Sequence, residues 1–171
     1  MDIDSIIVTP AQLRSFVRVD TQRLRVWIAA GLFGSQEAQQ GRKRVYTLED
    51  LVIGRITREI LDMTKSRTLM IADREKFVEE FRTAFAFPIS TALESGKTTG
   101  LWLVLSWQPE EEDYLITVYH GTQNNFPSRN IMLTNKNLRK GQPMILLPVW
   151  EVIEEVLEWA KRKFPESFED Q

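Results

Sequence analysis

Between Thr9 and Asp50 the chain carries three helix starts and one helix stop, so only short helices fit into that stretch. Thr9-Pro10 is the first start: a hydroxyl to cap free amides, then a proline at the one helical position where a missing N–H costs nothing. Ala11, Leu13, Phe16 and Val17 recur at roughly helical spacing, and Arg18-Val19-Asp20 forms a polar break. Thr21 is the candidate cap of a second helix, on which Leu24, Trp27 and Ile28 make one apolar stripe and Gln22, Arg23 and Arg25 fall off it. Gly31 reads as the residue just past that helix, where glycine tolerates left-handed backbone. Two helices of about two turns each, joined by a tight break, make a helix-turn-helix candidate.

A polar loop from Gly34 to Gly41 follows, then the short basic strand Arg42-Lys43-Arg44-Val45-Tyr46. Leu32-Phe33 is the expected opposite strand, which would complete a small β-wing. Thr47 and Asp50 have the spacing of a reciprocal capping pair and open a third helix. Leu48, Leu51, Val52, Ile56, Ile60 and Met63 are its expected buried face. Arg55 and Arg58, off that face, read as plain surface.

Taken together, Leu24-Arg25-Val26-Trp27 with Gly31-Leu32, then Arg44-Val45-Tyr46, then Thr47-Leu48-Glu49-Asp50, resemble the winged helix-turn-helix of MerR-family transcription regulators over about residues 5–65. Excisionases and phage terminase small subunits share much of that unit. The resemblance places the family's wing arginine and tyrosine on Arg44 and Tyr46, and its recognition-helix arginine on Arg25. It implies promoter binding with distortion of the duplex.

The same residues make chemical sense unaided. A helix laid in the major groove presents its outward face to base edges, where arginine pairs bidentately with guanine and glutamine with adenine. Thr21, Gln22, Arg23 and Arg25 can supply that face. Arg42, Lys43, Arg44 and the Tyr46 hydroxyl suit phosphates or the adjacent minor groove. Trp27 belongs in the core.

Past residue 68 the pattern changes. A helix is expected over roughly residues 72–86, closed by Pro88. Ser95–Gly100 is a loop without the glycine-x4-glycine-lysine order of a phosphate-binding loop. Leu101–Trp107 and Tyr114–His120 read as an antiparallel hairpin with the acidic tip Pro109–Asp113. Ile131-Met132-Leu133 and Met144–Leu147 are further strand candidates. A final helix is expected after Pro148, with Val149, Val152, Ile153, Val156, Leu157 and Ala160 as its apolar stripe, glutamates early and Lys161-Arg162-Lys163 last. The tail from Pro165 is expected to fray. Trp102, Trp107, Tyr114, Tyr119, Trp150 and Trp159 are candidates for core, interface or an effector pocket. The expected architecture is therefore α+β: a winged helix-turn-helix at 1–68, a connecting helix at 69–87, and a small α+β dimerisation or effector domain at 88–171.

Composition trims the functional classes. The 171 residues include no cysteine and one histidine, His120. That excludes disulfides, thiolate metal sites and a cysteine nucleophile, and leaves no catalytic constellation to assemble. No metal and no cofactor are expected. The net charge of -2 argues against a nucleic-acid binder until it is divided. Met1–Thr68 holds 11 basic and 8 acidic residues, a net of +3, while the remainder holds 11 and 16, a net of -5. An isolated front is thus expected to meet less repulsion from DNA than the whole chain. MDIDSIIVTP lacks the charge and apolar run of a signal peptide, and no apolar run approaches a bilayer span, so a cytoplasmic protein without membrane contact is expected.

The expected function is a sequence-specific, MerR-like transcriptional regulator that binds double-stranded DNA as a homodimer; a small-molecule effector, a protein effector and no effector all stay open. An excisionase-like or terminase-small-subunit-like architectural protein of a mobile element, or a winged-helix protein-interaction module, are the alternatives. The metal-sensing cysteines of that family are missing, and no sustained heptad offers its usual dimerisation helix.

Overall fold

The computed structural model describes residues 6–33, 44–64, 88–96, 100–108, 113–120 and 144–168. They form an α+β fold: helices α1 (Pro10–Val17), α2 (Thr21–Ala29) and α3 (Leu48–Thr64), strands β1 (Leu101–Gln108), β2 (Asp113–His120) and β3 (Met144–Pro148), and helix α4 (Val149–Lys163). The expected helix at 72–86, the strand Ile131–Leu133, the acidic hairpin tip at 109–112 and the loop 34–43 lie outside the described residues.

The local chemistry of the front is dense with caps. The Thr9 hydroxyl accepts from the Gln12 amide at 3.3 Å while Gln12 Oε1 accepts from the Thr9 amide at 2.8 Å, a reciprocal capping box around Pro10. The cap of α2 is Asp20, one residue before the expected Thr21; its carboxylate accepts from the Arg23 amide at 2.7 Å. Asp20 wins because its backbone is still extended (φ -74°, ψ 165°), as a cap requires, whereas Thr21 is already helical. Gly31 takes φ +75°; its amide donates to Ile28 O at 3.1 Å and the Leu32 amide to Trp27 O at 3.1 Å, the paired bonds of a Schellman stop. Thr47 and Asp50 exchange bonds of 3.0 and 3.3 Å, as their spacing predicts.

Among the described residues the expected pairing of Leu32-Phe33 with the basic strand is not found. Leu32 and Phe33 are buried outside any strand, and Tyr46 bridges Val8 instead, through amide-to-carbonyl bonds of 2.8 and 2.9 Å in both directions. Phe33 is more useful as packing: its ring stands edge-on to Tyr46 at 5.7 Å and tilted against Trp27 at 6.4 Å.

The sheet has the order β2-β1-β3, all antiparallel, with Leu101 opposite His120 and Trp102 opposite Pro148. Because β1 is central, Leu101, Trp102, Leu103 and Val104 are buried in succession, on both faces of the strand. The hairpin and the strand expected near Met144–Leu147 are therefore present. Residues 88–95 are helical, with Pro88 at the start; the helix it is expected to close lies outside the described residues. The tail also departs from expectation. Pro165–Phe168 forms a 3₁₀ turn, and Phe164 and Phe168 pack against the core.

Helix α3 is the axis of the molecule. Leu51, Val52, Ile53 and Gly54 are all buried, and four successive residues at 100° intervals cover nearly the whole circumference. On one side lies α1: the ideal Cβ position at Gly54 is only 2.9 Å from Val17 Cγ2, so nothing larger than glycine lets the two helices approach this closely. On another lies α4, whose six expected apolar residues are all buried. Trp159 of α4 reaches α1, its ring edge-on to Phe16 at 5.6 Å, and Phe164 covers it at 5.8 Å. Front and back residues, from Ile6 to Ala160, thus belong to one hydrophobic cluster.

Candidate nucleic-acid interface

The outward face of α2 follows from its inward one. Leu24 and Trp27 are buried and Ile28 packs against the core, which leaves Gln22, Arg25, Val26 and Ala29 facing away, with Thr21 and Arg23 on the flanks. All six are exposed, and Val26 keeps 40% of its surface, one of the two large hydrophobic residues that remain exposed among the described residues. Of the expected contact residues, Thr21, Gln22, Arg23 and Arg25 therefore share one helix, and Arg44 is exposed close to the Val8–Tyr46 bridge. Arg42 and Lys43 lie outside the described residues.

Tyr46 is placed differently from expectation. It is 5% exposed, and its hydroxyl is buried without a hydrogen-bond partner among the described residues. In this conformation it packs rather than donating to a phosphate. Burial pushes its phenol above the ordinary range, with Asp50 adding and Arg44 opposing.

Two arginines that the sequence leaves unassigned belong to this surface. Arg14 Nη1 donates to Thr21 Oγ1 at 2.7 Å, so the side chain of α1 spans the break and stands at the first turn of α2. Arg18 holds the break itself at φ +57°, the one described non-glycine residue in left-handed backbone. From α1 through α2 the only acid is Asp20, and its carboxylate is engaged with the Arg23 amide, which holds it below the ordinary carboxylate range. No ion pair among the described residues involves Arg14, Arg18, Arg23, Arg25 or Arg44. The signal for Arg14 was available in the sequence, since Arg14 and Thr21 are both polar and flank the break, but their distance depends on the angle at which the helices meet.

Arg55 and Arg58 are not plain surface. Arg55 pairs with Glu59 at 3.1 Å and with Glu155 of α4 at 3.4 Å. Arg58 pairs with Asp62 at 3.1 Å and donates through Nη1 to the carbonyls of Val17 and Arg18, placing a cation on the open end of α1. Glu59, half-buried in this seam, is raised above the ordinary carboxylate range, first by burial; Arg55 opposes, while Glu155, Glu151 and Asp62 add to the rise.

Among the described residues no helix is long and apolar enough to cross a membrane. Compared with known protein families and with characterised proteins, the chain matches none.

Proposed function

We propose that this protein is a sequence-specific DNA-binding transcriptional regulator of MerR-like type, acting in the cytoplasm as a homodimer under the control of a small-molecule or protein effector. The observation that carries the reading is the state of the arginines on α1 and α2: exposed and clear of ion pairs among the described residues, with Arg14 bonded to the first turn of α2. An uncompensated cationic face raises the local concentration of a polyanion and lets each contact release condensed counterions. On that face Gln22 and Arg25 have the donors and acceptors that read base edges, and Val26 suits a thymine methyl. The winged helix-turn-helix resemblance supplies the docking mode, with α2 in the major groove and the segment around Arg42–Arg44 beside it. A symmetric dimer reads a near-palindromic site.

Selection of bound duplexes from a random pool tests the proposal. The expected result is an enriched motif with two-fold symmetry and an affinity that falls steeply with salt. Arg25→Ala with Arg44→Ala is expected to abolish the enrichment; an unchanged affinity and salt dependence in that double variant would refute the proposal.

A further inference from the structure

We infer that Arg14 and Arg18 form a phosphodiester clamp, set across the break between α1 and α2, that grips the DNA backbone while Gln22 and Arg25 face the bases. This rests on the DNA-binding reading and divides its labour.

The geometry at Arg14 comes first. Its guanidinium is fixed by a hydroxyl, the 2.7 Å bond to Thr21 Oγ1, and not by a carboxylate. A neutral acceptor orients the fork without cancelling its charge, and leaves four of the five N–H donors for an anion. Thr21 and Arg25 are one helical turn apart on the same face of α2, so Arg14 stands beside the outward face of that helix. Arg18, four residues on, is the left-handed residue that ends α1, so the two arginines flank the same break.

Arg18 supplies an independent observation. Left-handed backbone is unfavourable for a non-glycine residue, and glycine would occupy φ +57° without that cost. The fold does not recover it through the side chain, which is exposed with no hydrogen bond or ion pair among the described residues. The Arg58 bond goes to the Arg18 carbonyl, which glycine would offer equally well. An exposed arginine that costs stability where it stands, at the break between α1 and α2, fits a charge used on a ligand. A phosphate is the anion that a planar, bidentate fork matches and that a duplex presents at every nucleotide.

The test is a titration of fluorescein-labelled mixed-sequence duplex DNA against the full-length protein, repeated over a series of salt concentrations, together with random-pool selection. Arg14→Ala and Arg18→Gly are each expected to weaken binding roughly tenfold, to reduce the slope of log affinity on log salt by about 0.9, and to leave the enriched motif unchanged. Arg18→Gly is expected to melt at a higher temperature than the parent while binding more weakly, a pairing that loss of fold does not produce. Thr21→Val, which frees Arg14 but keeps its charge, is expected to weaken binding only a few-fold. If Arg25→Ala weakens binding but Arg14→Ala with Arg18→Gly keeps the parental slope, the clamp is wrong and the DNA reading stands. A changed motif in the double variant would make these arginines base readers and overturn the division. No salt-dependent binding by the parent would overturn both.

Discussion

The arginines of α1 and α2 and those of α3 are the same side chain in opposite circumstances. Arg14, Arg18, Arg23 and Arg25 are exposed and carry no ion pair among the described residues, whereas Arg55 has two carboxylate partners and Arg58 one carboxylate and two carbonyls. Charge on α3 is structural; charge on α1 and α2 is available. In the seam among α1, α3 and α4, cations close helix ends and offset glutamates. On the outer face none of them meets a carboxylate among the described residues, and a charge without a counter-charge is free to meet a ligand.

Removing one side of the seam is expected to have the largest effect. Deleting the chain from Val149 onward uncovers α3 and exposes the partners of six buried side chains. At about 1.5–3 kcal/mol for each buried apolar side chain, the loss is of the order of a whole domain's stability. Circular dichroism is expected to show the helical signal of α1–α3 lost along with α4. An isolated front that kept its helices would show two independent units after all, and only then would its charge advantage toward DNA matter.

A smaller perturbation addresses the closest helix contact. Gly54→Ala places a methyl 2.9 Å from Val17 Cγ2 and 3.2 Å from Phe33 Cε1. Valine is stiff at this torsion, so the strain of about 1–3 kcal/mol is expected to outweigh the gain of about 1 kcal/mol in helix propensity. Urea denaturation should show a net loss of stability, and Val17→Ala in the same chain should recover part of it.

The two arginine classes are separated directly by Arg58→Ala and Arg23→Ala. The first leaves the Val17 and Arg18 carbonyls and Asp62 without their donor and is expected to cost about 1–2 kcal/mol. The second is expected to stay within about 0.5 kcal/mol of the parent. Thermal melts decide it, and equal effects would erase the distinction.

The smallest effect is in pH. Glu59 is raised in the folded state, so its protonated form is the favoured one there. Its contribution to stability is complete below the unfolded value and is lost as pH rises through the raised folded value. Glu59→Gln is therefore expected to flatten the decline in stability between mildly acidic and neutral pH, by less than about 1 kcal/mol. A steeper decline in the variant would mean that the Arg55 pair outweighs burial.

Much of this was legible in the chain because it is local. Thr9, Gly31, Thr47 and Asp50 cap or stop helices by contacts within five residues, and the α4 stripe repeats at the helical period. What escaped is non-local. Ile53 falls outside the expected apolar face of α3 yet is fully buried, and Arg58 reads as surface until the end of α1 arrives beneath it. The pairing of Tyr46 with Val8 in place of Leu32-Phe33 is a choice between segments that the pattern of residues does not rank. The candidate contact helix was visible as the residues left off an apolar stripe; the Arg14–Thr21 bond was not, because it depends on how two helices meet.

Pro148 is both the last residue of β3 and the cap position of α4, with buried Val149 immediately after it. There is no loop between sheet and helix, hence no slack. A tilt of the sheet has nowhere to dissipate before it becomes a tilt of α4, and Trp159 carries that tilt to Phe16 on the back of α1. Mechanically, the chain has a hinge pin at one end of α4 and a cam at the other. Two glycines inserted after Pro148 would uncouple them, and the sheet and the front helices should then protect their amides from exchange independently.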